Sequence, residues 1–324
     1  MTHQPTFAQP IAAELEQFNR YFAQQMRSSV PLLTLAVRYV LRSRGKQLRP
    51  ILVFLSAGAA GGITERSYVG AAMVELLHTA TLIHDDVVDN APLRRGLASI
   101  NAVWKNKVAV LVGDFLLARG LLLAVEHNEF DFLRVTATAV RRMSEGELLQ
   151  IQTFRKRRFN EETYLRIVRD KTASLIATCC QIGAISAGAD DDTCTLFAHF
   201  GECIGTAFQI RDDVLDYTSR TTLLGKPTAH DLREGKITLP LLRALAQAPS
   251  DQAASIRRLL ASPLRNRSIE RIVSFVETYG GTNSAMETAR ALVQEGTSLL
   301  GQLPPSPYRA MLEAFARYTI ERTK

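Results

Sequence analysis

The run ELLHTATLIHDDVVDNAPLRRG, Glu75 to Gly96, decides how the rest of this chain is read. Its apolar residues follow the helical period, so it reads as the end of a long apolar helix. Asp85 and Asp89 are four apart, which stacks them on one face of that helix with Asp86 alongside. Like charges at this spacing oppose the helix, and near its C-terminus they also oppose the macrodipole. The pattern returns later in the chain. Ile83-His84-Asp85-Asp86-Val87-Val88-Asp89 is echoed by Ile210-Arg211-Asp212-Asp213-Val214-Leu215-Asp216, and each copy precedes a segment rich in basic residues and glycine. A sequence that accepts this electrostatic cost twice has a use for acidic faces. Hard cations take oxygen ligands of this kind, and Mg²⁺ typically shares its carboxylates with substrate phosphates.

Working outward, nearly every segment keeps the helical period. Ile11 to Arg27 is amphipathic, Pro31 marks a helix start, and the apolar run Pro50 to Ala60 ends at Gly61-Gly62. Thr64, with Glu65 behind it, reads as the N-cap of the helix that ends in the first aspartate cluster. Further helices are expected over roughly 107–126, 129–152, 161–188 and 193–219, with shorter ones from Ile237 to the C-terminus. There are no period-2 strands, no Asn-Gly or Asp-Gly hairpin turns and no low-complexity linker. The expectation is a single all-α domain over residues 1–324.

The 324 residues are 46% hydrophobic and 22% charged, ample for a large core. No stretch reaches the roughly 18–20 uninterrupted apolar residues needed to cross a bilayer. Met1 to Gln9 lacks the basic and apolar regions of a secretory signal. Cys179, Cys180, Cys194 and Cys203 fit no zinc-like pattern and read as buried, reduced thiols of a cytoplasmic protein. The formal charge of +7 suits nucleic acid, anionic lipid or a phosphorylated substrate, and only the placement of the charges chooses among them. Lys46 and Arg49 stand three apart in Gly45-Lys46-Gln47-Leu48-Arg49-Pro50, and Arg94 and Arg95 follow the first aspartate cluster. Lys171 precedes Thr172, and Lys226 and Lys236 flank the loop after the second cluster. Arginine offers a bidentate fork to phosphate oxygens and lysine a compact charge. The set suggests two diphosphate sites, one bridged to the carboxylates by metal and one purely cationic. Because the basic residues interleave with acidic clusters and build no continuous stripe, no nucleic-acid partner is expected.

Six blocks in this order resemble the trans-type isoprenyl diphosphate synthases: GKQLRP (45–50), ELLHTATLIHDDVVDNAPLRRG (75–96), AVLVGD (109–114), DKTASL (170–175), FQIRDDVLD (208–216) and GKPTAHDLREGKITLP (225–240). The resemblance implies an antiparallel helical fold around a deep central cavity, usually as a homodimer, and several Mg²⁺ ions. It implies that Asp85 and Asp89, with Asp86, bind magnesium on one side of an allylic diphosphate, and that Asp212, supported by Asp213 and Asp216, holds it from the other. Arg94, Lys171, Lys226 and Lys236 would contact the allylic diphosphate, and Gly45, Lys46, Arg49, His78 and Arg95 would bind isopentenyl diphosphate. Thr172 and Gln209 would shelter the carbocation left when the allylic carbon–oxygen bond ionises, with Lys171 and Lys226 beside the reacting diphosphate. Two residues depart from the family's frequent glycines: Lys105 in WKNK and Ala229 in the loop 225–231. A non-catalytic partner subunit would lack one or both aspartate clusters. A terpene cyclase would leave Lys46, Arg49 and His78 without a purpose.

The first cluster has a two-residue gap, without the longer insertion of several short-chain relatives. Thr81 lies one turn beneath Asp85, with Ala80 beside it, where bulky aromatics commonly block chain growth in short-chain members of the family. One turn is about 5.4 Å, close to one isoprene unit, and two small residues there point to a product of about C30 to C45 rather than a farnesyl or geranylgeranyl chain. Val74, Phe132 and Leu133 are candidates for the floor. Such a product suits a respiratory quinone side chain, and Arg155-Lys156-Arg157-Arg158 offers a basic loop for transient contact with anionic lipid.

Overall fold

A computed structural model of the chain describes residues 6–42, 45–94, 96–156, 159–218, 229–260 and 266–322. After a 3₁₀ turn, Thr6–Ile11, come α1 (Ala12–Gln25), α2 (Pro31–Arg42), α3 (Leu48–Ala60) and α4 (Glu65–Val88). A hairpin of β1 (Leu93–Arg94) and β2 (Leu97–Ala98) leads to α5 (Ile100–Glu126), α6 (Phe130–Lys156) and α7 (Glu161–Val168). A π turn, Arg169–Ala173, joins α7 to α8 (Ser174–Ser186), followed by α9 (Asp191–Thr218) and α10 (His230–Arg233). The chain ends in α11 (Leu239–Gln247), α12 (Ser250–Leu260), α13 (Asn266–Thr278), α14 (Gly281–Leu300) and α15 (Pro307–Glu321). The fold is all-α. The hairpin is a small correction to the strand-free reading, because two residues per strand are too few to show alternation and the turn runs through Gly96 at φ +80° rather than an Asn-Gly pair.

The chain divides into two compact units. The first comprises residues 1–138, 178–198 and 303–312 and is built around α3 and α4. Helix α3 is apolar on all sides and buried from Pro50 to Ala57, as a core helix must be. Helix α4 starts where the N-cap signal placed it. The Thr64 amide donates to Ser67 Oγ at 3.1 Å and the Thr64 hydroxyl to the Ser186 carbonyl at 2.9 Å. Helix α8 approaches α3 so closely at Gly183 that a Cβ there would lie 2.4 Å from the Val53 carbonyl oxygen. Helix α5 lies along α4, its Gly113 against the His84 ring.

Helix α5 is the one described helix long and apolar enough to pass for a membrane span, although Asp114 and Arg119 interrupt it. One side packs on α4. The other exposes Val103, Val110, Leu111, Leu121, Leu122 and Val125.

The second unit comprises residues 139–177, 199–302 and 313–324. Gly201 and Gly205 on α9 leave no room for a Cβ against the backbone of Ala177 and Ala173, and α11 meets α14 at Gly281 in the same way. Ile256, Ile269, Ile272 and Val276 of α12 and α13 complete an apolar cluster with Tyr217 and Leu241.

The expected helix over 161–188 is interrupted by the π turn, and both departures from glycine fall on unusual backbone. Lys105 has φ 70°, ψ 164° inside α5, and Ala229 has φ 59°, ψ 49°. Both conformations favour glycine and cost a side chain on the order of 1–3 kcal/mol.

Candidate active site

In the first unit, Gly45, Lys46, Arg49, His78 and Arg94 line one cavity of about 330 Å³, together with Glu75 and Asp86. Gln47, at φ 51°, turns the chain into α3, and its side-chain amide holds Asn19 Oδ1 at 2.8 Å. Lys46 and Arg49 therefore sit at the start of a helix, whose first-turn amides lack intrahelical acceptors and favour an anion. His78 projects from α4 and is 9% exposed. Arg94, carried by β1, donates through Nε to Asp86 Oδ1 at 2.7 Å. Asp86 is buried, and its backbone carbonyl takes the Asn101 side chain at 3.1 Å, so it belongs to the cavity wall. Asp85 and Asp89 stay exposed at the end of α4, one turn apart, the amide of Asp89 bonded to the Asp85 carbonyl at 2.8 Å. Ala80 is buried in α4. Thr81 is half-buried with its hydroxyl on the His78 carbonyl, and neither lines this cavity. Val74 and Phe132 lie in the core, the Phe132 ring beside Gly70. Arg95 and Lys226 fall outside the described residues.

In the second unit, Lys171, Thr172, Gln209, Asp213 and Lys236 line a second cavity, of about 260 Å³, with Tyr164 and Asp231. The π turn presents Lys171 and Thr172, a use to which π turns are often put. It can do so because Gly146 on α6 lets the backbone of Lys171 come close; a Cβ there would lie 2.9 Å from the Lys171 nitrogen. A chain of hydrogen bonds crosses the cavity. The Thr172 hydroxyl donates to Gln209 Oε1 at 3.0 Å, Gln209 Nε2 to Asp213 Oδ1 at 2.8 Å, and the Tyr164 hydroxyl to Asp213 Oδ2 at 2.6 Å. Lys171 is ion-paired with Glu147, and Lys236 with Glu234 at 2.7 Å and Asp231 at 3.5 Å. Burial alone would lower the Lys236 ammonium, but those carboxylates outweigh it and raise its pKa.

The second aspartate cluster is crowded. Burial pushes Asp213 up to about 7, against the hydrogen bonds from Tyr164 and Gln209 that favour its charged form. Burial also raises Asp212, although Arg322 Nη2 reaches it at 2.6 Å, and raises Asp231, although Lys236 opposes the shift. Asp216 accepts the backbone amides of His230 and Asp231, each at 3.0 Å, and so caps α10. Burial keeps these carboxylates costly to charge even with Arg322 and Lys236 beside them, and oxygen donors so placed are a set that a divalent cation would relieve, so the residues fit magnesium.

The polyprenyl synthetase family profile matches residues 30–277. The chain belongs to this family. It is 34% identical to the octaprenyl diphosphate synthase of Haemophilus influenzae, over 95% of this chain and 94% of that one. It is 36% identical to the all-trans-nonaprenyl-diphosphate synthase (geranyl-diphosphate specific) of Rhodobacter capsulatus, over 97% and 96%. Among solved structures, it matches the polyprenyl synthase of Caulobacter crescentus, complexed with calcium and isoprenyl diphosphate. The TM-score is 0.89 and the identity 34%, covering 98% of this chain and 97% of that one.

Sequence reasoning missed Tyr164, Glu147, Asp231 and Arg322. Asp231 stood inside a matching block and could have been singled out; Tyr164 and Arg322 carried no local signal, because each reaches its partner from a distant segment.

Proposed function

We propose that this family member is a magnesium-dependent trans-prenyltransferase. It condenses isopentenyl diphosphate head to tail (1′-4) onto an allylic diphosphate and makes an all-trans polyprenyl diphosphate of about C30 to C45. The observation that carries this reading is the sorting of the cations. Lys46, Arg49 and His78 converge on one cavity, while Lys171 and Lys236 line another beside buried carboxylates. The first suits isopentenyl diphosphate held by cations alone, with Gly45 giving the phosphates backbone access and Arg95 assigned there from the sequence. The second suits the diphosphate that leaves.

Asp85 and Asp89 at the end of α4, and Asp212, Asp213 and Asp216 on α9, would hold the magnesium ions, with Asp86 orienting Arg94. Mg²⁺ held by these aspartates would neutralise charge on the departing pyrophosphate and so ease ionisation of the allylic carbon–oxygen bond. Lys171, Lys236 and, from the sequence, Lys226 add positive charge to the leaving group in the second cavity, while Arg94, read from the sequence as a further diphosphate contact, lines the first. The Thr172 hydroxyl and Gln209 carboxamide, fixed by their mutual bond, turn oxygen dipoles toward the allylic cation. The isopentenyl double bond attacks that cation, and the proton it then loses goes to the released pyrophosphate. The apolar lining of the second cavity, including Ile167, Val168 and Leu242, helps to keep water from the cation. Small residues at Ala80 and Thr81 support continued elongation.

The exposed apolar face of α5 supports a homodimer, since a second copy would cover side chains that otherwise face water. The buried free thiols suit a reducing cytoplasm, and Arg155 and Lys156 at the end of α6 suit brief contact with an anionic membrane when product leaves, for a quinone side chain. The test is incubation with isopentenyl diphosphate, farnesyl diphosphate and Mg²⁺, with an EDTA control, followed by sizing of the dephosphorylated products. A metal-dependent ladder ending at C30 or longer is expected. A stop at C20 or shorter refutes the long-chain assignment, and no product, with geranyl or geranylgeranyl diphosphate offered in place of farnesyl diphosphate as well, refutes the enzyme.

A further inference from the structure

On α9, ten residues before Gln209, His199 and Cys203 stand one turn apart on the same face, and Glu295 of α14 closes over them. All three belong to the second unit and none lines its cavity. His199 Nε2 lies 2.9 Å from Glu295 Oε1, and one ligand atom from each of the three residues falls within 4.8 Å of the other two. The approach is built into the packing. Gly296, next to Glu295, brings α14 against α9, where a Cβ would sit 3.5 Å from Cys203 Cβ and 3.2 Å from Ile204 Cδ1. Cys203 is buried, while His199 and Glu295 are half-exposed, so the thiol forms the floor of a site open to solvent on one side.

We propose that His199, Cys203 and Glu295 bind a borderline-soft divalent ion, zinc foremost, which ties α9 to α14. Imidazole, thiolate and carboxylate are the three side chains zinc takes, and two ligands at i and i+4 on one helix give it a face to sit on. Tetrahedral ligand atoms lie about 3.3–3.6 Å apart, so the His199–Glu295 pair, at 2.9 Å, must open by a few tenths of an ångström, and Cys203 Sγ, within 4.8 Å of both, must close by at most about 1 Å. Rotation of two half-exposed side chains is enough. Binding replaces the proton of the Cys203 thiol, which leaves to solvent as the metal–sulfur bond forms. The fourth position is left to water. Magnesium is a poor occupant, because it prefers oxygen and resists dehydration. The site is therefore chemically separate from the aspartate clusters, and it pins the helix that carries Gln209 and Asp213.

The thiolate separates this site from every carboxylate site on the chain. The full-length protein is stripped with EDTA and dialysed into excess Mg²⁺, which saturates oxygen-only sites, and then titrated with Co²⁺. One equivalent is expected to develop thiolate-to-cobalt charge-transfer absorption in the near ultraviolet, and one equivalent of Zn²⁺ should bleach it. Cys203→Ser should abolish the band, and His199→Gln and Glu295→Gln, both at half-exposed positions that the fold tolerates, should each weaken binding at least tenfold. Absence of the band in the native chain, its survival in Cys203→Ser, or unchanged affinity in the other two variants would overturn the site. Prenyl transfer assayed on the same Mg²⁺-loaded samples reports independently on the proposed reaction.

Discussion

Gly146→Ala tests whether the π turn is placed by packing. In a helix interior, replacing glycine by alanine normally stabilises by about 0.5–1 kcal/mol, because alanine loses less backbone entropy on folding. Here the new Cβ would lie 2.9 Å from the Lys171 nitrogen and 3.0 Å from Asp170 Cβ. The first is a backbone atom, and Asp170 is held by Arg142, whose Nε reaches it at 2.8 Å while Nη2 holds Glu202 at 2.7 Å. Neither neighbour can swing aside freely. Overpacking of this kind costs about 1–3 kcal/mol, which at its midpoint outweighs the propensity gain and leaves a net loss of about 1 kcal/mol. With an unfolding entropy of about 2.1 cal/mol/K per residue, the melting temperature should fall by about 2 °C. The kinetic effect should be larger. A shift of the turn by a few tenths of an ångström moves Lys171 and Thr172 together, and misplacement on the ångström scale costs on the order of 100-fold, so turnover should fall roughly tenfold. The assay pairs calorimetry with initial rates in isopentenyl and farnesyl diphosphate. Gly120→Ala is the control, because its nearest contacts are at 3.6 Å and the methyl group fits. If Gly146→Ala melts higher than the native chain and turns over normally, the close approach does not position the turn and the reasoning fails.

Lys105→Gly should raise stability by about 1 kcal/mol, because it removes a side chain from φ 70°, ψ 164° at an exposed position, while Lys105→Ala should give nothing; equal melting of the two would contradict the strain. Asp85→Ala should lower turnover by orders of magnitude with helical circular dichroism unchanged, and near-normal rates would remove Asp85 from the metal site. Thr81→Phe should shorten the longest product, read from chain sizing, since each turn of α4 corresponds to roughly one isoprene unit; an unchanged length would show that the chain does not pass that face.

The all-α class, the start of α4 at Thr64 and the pairing of two acidic helix ends were legible in the sequence because each rests on contacts within about one helical turn. The family was legible for a related reason: its motifs are short, and each keeps its spacing on a single helix or loop. The two departures from glycine were visible too, but only the backbone showed that Lys105 and Ala229 carry positive φ. Tertiary structure alone decided which carboxylates stay in water. Asp85 and Asp86 are neighbours in sequence, yet one is exposed and the other is buried against Arg94. It likewise decided that Arg322, more than a hundred residues away, holds Asp212, and that Glu295 of α14 closes over His199 and Cys203, which stand four apart on α9. Periodicity assigns a residue to a face of its own helix. What that face meets depends on long-range packing, here on glycines such as Gly146 and Gly296 that let one helix approach another, and no local pattern encodes that partner.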